Sequence, residues 1–320
     1  MSRIHEALKK AEEERAQAMA QGDIEEPGLP AADIVDQSMP LTGAAAISAA
    51  NMVAAIEAPV GLPPEIAATN QFSFEALAGR CRHIDWLPDA TSLAITNDSH
   101  APGAEEFRTL RSRLFQIRQK QNQQILLVSS ALQGEGKSFV SLNLAQIIVR
   151  QAGRKVLLVD ADLRRPQLHL RLGTQQTPGL ADYLRGDADE FAVVQKGPID
   201  NLLFIPGGEA GANPAELIAG PRLKMLMRRL KGAFDWIIMD SPPAVPVSDA
   251  SILANVCDGV VLVVQAAVTP LHAVQKAKEE FHNKPLLGVV LNRVDRNGTY
   301  PGYYYYGYGN NQTQKGRSER

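Results

Sequence analysis

SSALQGEGKSF, residues 129–139, is the stretch that decides the fold. It follows an apolar run from Ile125 to Ser129 and opens an apolar helical stretch from Phe139 to Arg150. A glycine-rich loop between a strand and a helix aims backbone N–H groups at a helix N-terminus, where anions bind. Gly134 and Gly136 let the backbone approach phosphate oxygens, Lys137 neutralises the β and γ phosphates, and Ser138 can ligate Mg²⁺. Glu135 and Phe139 complete the nucleotide-binding stretch Gly134 to Phe139. The usual first glycine of such a loop is Ala131 here, a departure that leaves nucleotide affinity open.

Outward from this loop, short apolar runs alternate with helical stretches. The runs are Ile125 to Ser129, Lys155 to Asp160, Leu202 to Ile205, Trp236 to Asp240, Gly259 to Val264 and Leu286 to Leu291. They are apolar throughout rather than alternating, as parallel strands covered on both faces must be. Asn213-Pro214 with Glu216, and Thr269-Pro270, supply helix caps and first-turn prolines between them. Strand, helix, strand in series predicts a doubly wound α/β domain over residues 104–293 with a mainly parallel P-loop NTPase sheet. Ligands of such sheets bind at the carboxyl ends of the strands.

Two of those ends carry carboxylates. VLLVDADLRRP presents Asp160 and Asp162, and FDWIIMDSPP ends its run at Asp240, the place of a Walker B aspartate. In a parallel sheet all three fall on the P-loop side, where they can converge on a Mg²⁺–ATP complex. Magnesium takes a few carboxylates together with waters and phosphate oxygens. A single aspartate after a strand is more often a helix cap; three around a P-loop reverse those odds. Arg164 and Arg165 could contact phosphate or a neighbour, or be ordinary surface arginines. Asn292 could meet adenine or cap a strand end, and Asp249 reads as a helix N-terminal residue.

Composition narrows the rest. Of 320 residues 45% are apolar, ample for a core, and a net charge of −2 gives no general attraction to nucleic acid. Cys81 and Cys257 match no metal or redox spacing, which points to a reducing compartment. No run approaches the roughly 18 unbroken apolar residues of a membrane helix, so the expected location is cytoplasmic. Residues 1–18 alternate charges at helical spacing with Ile4, Ala7, Leu8 and Ala11 on one face, predicting a short amphipathic helix. Residues 19–103 read as a largely disordered linker, rich in Ala, Pro, Asp and Glu over 20–70. Six of the seven tyrosines lie between Tyr300 and Tyr308, in a glycine-rich tail, residues 294–320, that reads as flexible.

The P-loop, the DADLRR motif and the Asp240 strand resemble those of the bacterial tyrosine kinases that accompany capsule and exopolysaccharide synthesis. Upstream, GAEEFRTLRSRLF contains Glu105, Arg108 and Arg111 in the spacing that family uses at its subunit contact. The resemblance, spanning residues 104–308, implies a ParA/MinD-like nucleotide domain with ATP and Mg²⁺ as cofactors. Lys137, Asp160 and Asp162 would be catalytic, with Asp160 the base toward a tyrosine hydroxyl. Ser138, Asp162 and Asp240 would hold the metal.

The acceptors would be Tyr300, Tyr303, Tyr304, Tyr305, Tyr306 and Tyr308, phosphorylated in trans within a homo-oligomer such as a ring. From Arg293 to the middle of that cluster is about 12 residues, a reach of at most about 40 Å. Further implied partners are the cytoplasmic segment of a membrane-embedded polysaccharide co-polymerase, which would recruit the chain to the inner face of the membrane, and a tyrosine phosphatase. The competing reading is a ParA/MinD-like regulatory ATPase without kinase activity. Partitioning ATPases of that kind resemble one another in a lysine early in the P-loop, and residues 129–136 contain none.

Overall fold

The computed structural model describes residues 71–88 and 103–295. In chain order the elements are α1 (Phe74–Arg80), β1 (Arg82–His83), α2 (Ala104–Lys120), β2 (Ile125–Ser130), α3 (Lys137–Val149) and β3 (Val156–Asp160). Then come α4 (Leu168–Leu172), α5 (Leu180–Arg185), α6 (Glu190–Val193), β4 (Gln195–Lys196), β5 (Leu202–Ile205), α7 (Pro214–Ala219) and α8 (Pro221–Lys231). The series ends with β6 (Trp236–Asp240), α9 (Asp249–Ala254), β7 (Gly259–Gln265), α10 (Leu271–Glu280) and β8 (Leu286–Asn292).

The strands form one sheet in the order β1-β4-β5-β3-β6-β2-β7-β8. Every neighbouring pair is parallel except β4 with β5. Because β6 returns between β3 and β2, register aligns Asp160 with Asp240 and Val128 with Asp240. The carboxyl ends of three central strands are thus adjacent, which is the geometry that gathers the site.

Residues alternate between two buried layers. Leu127, Leu157, Ile205, Met239 and Leu262 face a core shared with α5, α7, α8, α9 and α10. Leu126, Leu158, Phe204, Ile238 and Val261 face the layer that holds α2 and α3. Helix α3 is buried from Val140 to Val149, an enclosed helix directly beneath the P-loop.

The expected linker 19–103 is corrected at residues 71–88, which fold onto the domain. Ser73 caps α1 by accepting the Ala76 N–H at 3.1 Å, and Phe74, Leu77, Ala78 and Cys81 fall at the i, i+3, i+4, i+7 spacing of a buried helical stripe. Phe74 meets Phe234 edge-on at 5.6 Å. Strand β1 pairs with β4, and Trp86, 4% exposed, packs against Phe204. Gly197 makes room for that indole, since a Cβ there would stand 2.1 Å from Trp86 Cδ2. Burial of each such large apolar side chain is worth about 1.5–3 kcal/mol, enough to hold a short strap in place. The helix expected over residues 1–18, the rest of the linker and the tyrosine cluster lie outside the described residues.

Candidate nucleotide and phosphoryl-transfer site

A cleft of about 420 Å³ opens at the carboxyl ends of the central strands. The P-loop forms one wall through Gln133, Gly134, Gly136, Lys137 and Ser138. Asp162, Arg164, Arg165, Gln167 and Arg171 form a second, and Pro242, Pro243, Pro246 and Val247 a third, with Arg293 at the rim. Gly134 and Gly136 have φ of +87° and +95°, the left-handed region in which glycine is at home, and Gly136 is the N-cap of α3. Ala131 is not among the positive-φ residues and is fully buried in the core, so the loop takes its shape without a first glycine and Ala131 carries no backbone strain.

Lys137 Nζ reaches Asp162 Oδ2 at 2.9 Å, with side chains only 14% and 6% exposed. Burial pulls the ammonium's pKa down, but the charges of Asp240, Asp162 and Asp160 outweigh it and the net shift is upward. Asp160 and Asp240 are fully buried. Burial raises both carboxyls: Asp160 further because of the adjacent Asp240, Asp240 against the opposing pull of Lys137 and the Ser138 hydroxyl. Asp160 Oδ2 accepts the N–H groups of Gln167 and Leu168 at 3.0 and 2.9 Å, which anchors the start of α4, and Oδ1 accepts Asp162 N–H at 3.3 Å.

Asp240 Oδ1 accepts the Ser141 hydroxyl at 3.1 Å, whereas Oδ2 is buried without a well-formed hydrogen bond among the described residues. A hard, unsatisfied oxygen beside Ser138 and Lys137 suits Mg²⁺. Ser138, Asp162 and Asp240 would offer a hydroxyl and two carboxylates, leaving the remaining positions to phosphate oxygens and water.

Several expected residues are placed elsewhere. Glu135 turns inward, and Phe139 packs on Phe107 of α2 with ring centroids 6.0 Å apart, so neither side chain lines the cleft. Thr269 is not the helix cap its Thr-Pro sequence suggests. Pro270 holds the N-cap of α10, and the Thr269 hydroxyl donates instead to Glu135 Oε1. Asn292 donates Nδ2 to the Glu135 carbonyl at 2.8 Å. On α2, Arg108 pairs with Glu105 at 2.8 Å, and Arg111 donates to the Ile147 carbonyl of α3 at 3.0 Å.

A further pair escapes sequence reasoning. Arg164 grips the fully buried Asp249, the first residue of α9, through Nε at 2.7 Å and Nη2 at 3.0 Å. This bidentate bridge ties the DADLRR wall to the loop after β6. Their separation of 85 residues leaves no local signal.

Comparison with known proteins agrees with this arrangement. Residues 126–304 match the CobQ/CobB/MinD/ParA nucleotide binding domain. The chain is 37% identical over 207 residues to the tyrosine-protein kinase CpsD of Streptococcus agalactiae, a match covering 63% of this chain and 89% of that protein. It is 36% identical over 210 residues to the putative tyrosine-protein kinase EpsB of Ralstonia nicotianae, covering 65% of this chain and 27% of that longer protein. The crystal structure of the chimerical protein CapA2B2 superposes with a TM-score of 0.60 at 30% identity, covering 69% of this chain and 97% of that one. The chain belongs to the bacterial tyrosine-protein kinases, with a CobQ/CobB/MinD/ParA nucleotide-binding domain as its catalytic unit.

Proposed function

We propose that this kinase transfers the γ-phosphoryl group of Mg²⁺-bound ATP to the tyrosines Tyr300 to Tyr308 of a neighbouring copy. The observation that carries this reading is where the described chain ends: β8 closes at Asn292 against the P-loop and Arg293 lines the cleft, seven residues before the first tyrosine of the cluster in sequence. In the transfer, the phenol oxygen forms a bond to the γ phosphorus as the β–γ bridging bond breaks, ADP leaves, and the phenol proton passes to a carboxylate. Lys137 neutralises the phosphates, and positioning with charge compensation supplies most of the acceleration. Mg²⁺ held by Ser138, Asp240 and Asp162 would supply further charge neutralisation of the phosphates.

For the proton, Asp162 lies on the cleft surface, whereas Asp160 lies beneath it with its oxygens on backbone N–H groups. Asp160 can serve as base only when the Gln167–Leu168 turn gives way. Loss of the true base lowers kcat by 10² or more, so Asp160→Asn and Asp162→Asn, compared for kcat and for nucleotide affinity, distinguish the two. Glu105 and Arg108, on the α2 surface, are our candidates for the subunit contact.

We also place a membrane-embedded polysaccharide co-polymerase upstream as activator, with a tyrosine phosphatase as antagonist. Among the described residues no helix is long and apolar enough to cross a membrane. Each phosphotyrosine adds about −1.5 to −2 charges, and four would outweigh the chain's net charge of −2 and loosen an assembly of tails.

The decisive experiment is intact-mass spectrometry of dephosphorylated wild type and Asp240→Asn after incubation with Mg²⁺ and ATP, with tail peptides mapped. Phosphate ladders on Tyr300 to Tyr308 in wild type alone support the kinase reading. No ladder, even with a co-polymerase cytoplasmic segment added, favours a regulatory ATPase. Mixing an Asp240→Asn chain with an active chain lacking residues 299–320 tests transfer in trans: an unlabelled tail rejects it.

A further inference from the structure

We infer that Glu135, Thr269 and Asn292 form a clamp that holds the P-loop in its phosphate-binding shape, so that nucleotide affinity depends on the loop after β7. The inference rests on the nucleotide-binding reading of the cleft, but not on which group receives the phosphate.

Glu135 stands between the two left-handed glycines of the loop and is only 2% exposed. A carboxylate aimed into the cleft would repel the anion the loop is built to receive. It points the other way. Its Oε2 accepts the Leu132 N–H at 2.7 Å, closing the neck of the loop, and its Oε1 accepts the Thr269 hydroxyl. Thr269 Oγ1 in turn accepts the Gln265 N–H at 3.2 Å, which fastens it to the end of β7. The Glu135 carbonyl takes the Asn292 amide at 2.8 Å, fastening the loop to the end of β8 as well. Hydrogen bonds to an ionised carboxylate are about twice as strong as neutral ones, so this is a stiff joint.

Two backbone features show that the far half of the joint is built rather than incidental. Ala267 sits at φ +58°, a conformation an alanine keeps only where its surroundings determine it. It is held between the Ala266 N–H bond to the Asn292 carbonyl at 2.9 Å and the Thr269 N–H bond to Gln265 at 3.1 Å. Gly136 cannot carry a side chain, because a Cβ there would lie 2.1 Å from Asn292 Nδ2. The P-loop and the β8 terminus are therefore packed to contact through the same amide that donates to Glu135. These three are positioning residues: none lines the cleft, and each acts on phosphate through the loop backbone.

The test measures Mg·ADP binding by titration calorimetry on the full chain, per folded molecule, for Thr269→Val, Glu135→Ala, their double variant and Glu135→Gln. Loss of one charge-assisted bond predicts affinity about 5- to 20-fold weaker in each of the first two. The double variant is expected to be no weaker than Glu135→Ala alone, because the two side chains act as one joint. Glu135→Gln should stay within about threefold of wild type, since its amide can still accept from Leu132 and donate to Thr269.

In tail phosphorylation, KM for ATP should rise with little change in kcat. Affinities within twofold of wild type in Thr269→Val and Glu135→Ala, or additive effects in the double variant, would overturn the clamp. A merely structural role would lower the thermal midpoint while leaving affinity per folded molecule unchanged. Thr269→Val, at a half-buried loop position, carries the test alone should Glu135→Ala not fold. A protein that shows the affinity pattern but phosphorylates no tail keeps the clamp and loses the autokinase reading.

Discussion

Replacing Lys137 by methionine should do more than silence the enzyme: it should weaken the nucleotide-free fold, and increasingly so as pH rises. Lys137 is the cation among three carboxylates, pairing with Asp162 at 2.9 Å while Asp160 and Asp240 lie fully buried alongside. Removing one partner of a buried ion pair costs about 3–5 kcal/mol, because the other charge remains desolvated. Part of that cost is avoided wherever a carboxyl can stay protonated. The folded-state pKa values of Asp160 and Asp240 already stand above the ordinary value, through burial and, for Asp160, the neighbouring Asp240. Such a raised acid contributes stability that is present below its unfolded pKa and is lost as pH climbs through the folded one.

Without the ammonium both folded values move higher still, so the variant goes on losing stability to a higher pH than wild type does. Each additional carboxyl held protonated in the folded state steepens the loss by about 1.4 kcal/mol per pH unit. The stability difference should therefore widen as pH rises, by at most about 1.4 kcal/mol per pH unit for each carboxyl so held. Urea unfolding of wild type and Lys137→Met in EDTA at pH 6, 7 and 8 measures it. A difference that stays constant or shrinks toward pH 8 refutes the reasoning that Lys137 compensates a buried anionic cluster.

Three other perturbations follow from the same geometry. Asp240→Asn removes one charge from that cluster while keeping an acceptor for Ser141, so the nucleotide-free thermal midpoint at pH 8 should rise as Mg·ATP affinity falls at least tenfold; a lowered midpoint contradicts it. Gly173→Ala places a Cβ 1.9 Å from the Leu87 carbonyl at a position of φ +61°, and should free the end of the strap, read as faster hydrogen exchange at Leu87 with the sheet still protected. Arg164→Ala leaves the carboxylate of Asp249 buried without its guanidinium. Because Arg164 is itself 42% exposed the cost should be modest, about 2 kcal/mol in urea unfolding, and Asp249→Asn in that background should restore part of it.

The central strands were legible because they are buried on both faces, so each wrote a continuous apolar run such as Val156–Asp160 or Trp236–Asp240; β8 wrote such a run too, although as an edge strand it leaves Val289 and Leu291 exposed. β1 and β4 were not legible: two residues apiece, Arg82–His83 at the sheet edge and Gln195–Lys196 beside it are polar and leave no run to read. Helix α1 did leave a trace, the Ser73 cap and the apolar spacing of Phe74, Leu77, Ala78 and Cys81. It was masked by the linker-like composition upstream.

Within the site, Lys137, Asp162 and Asp240 could be expected to meet because topology alone fixes what stands at the ends of adjacent parallel strands. Side-chain direction is not fixed that way. Thr269 before a proline is a sound local argument for a helix cap, yet its hydroxyl finds a better acceptor 134 residues away in Glu135. A capping oxygen needs only the N–H groups of its own next turn, whereas a buried carboxylate such as Glu135 must recruit donors from whatever packs against it. The stronger demand wins, and it arises from chain segments that meet only in the folded state. Local sequence therefore locates the phosphate-binding loop and its carboxylates, while the parts that hold the loop in shape come from segments distant in the chain.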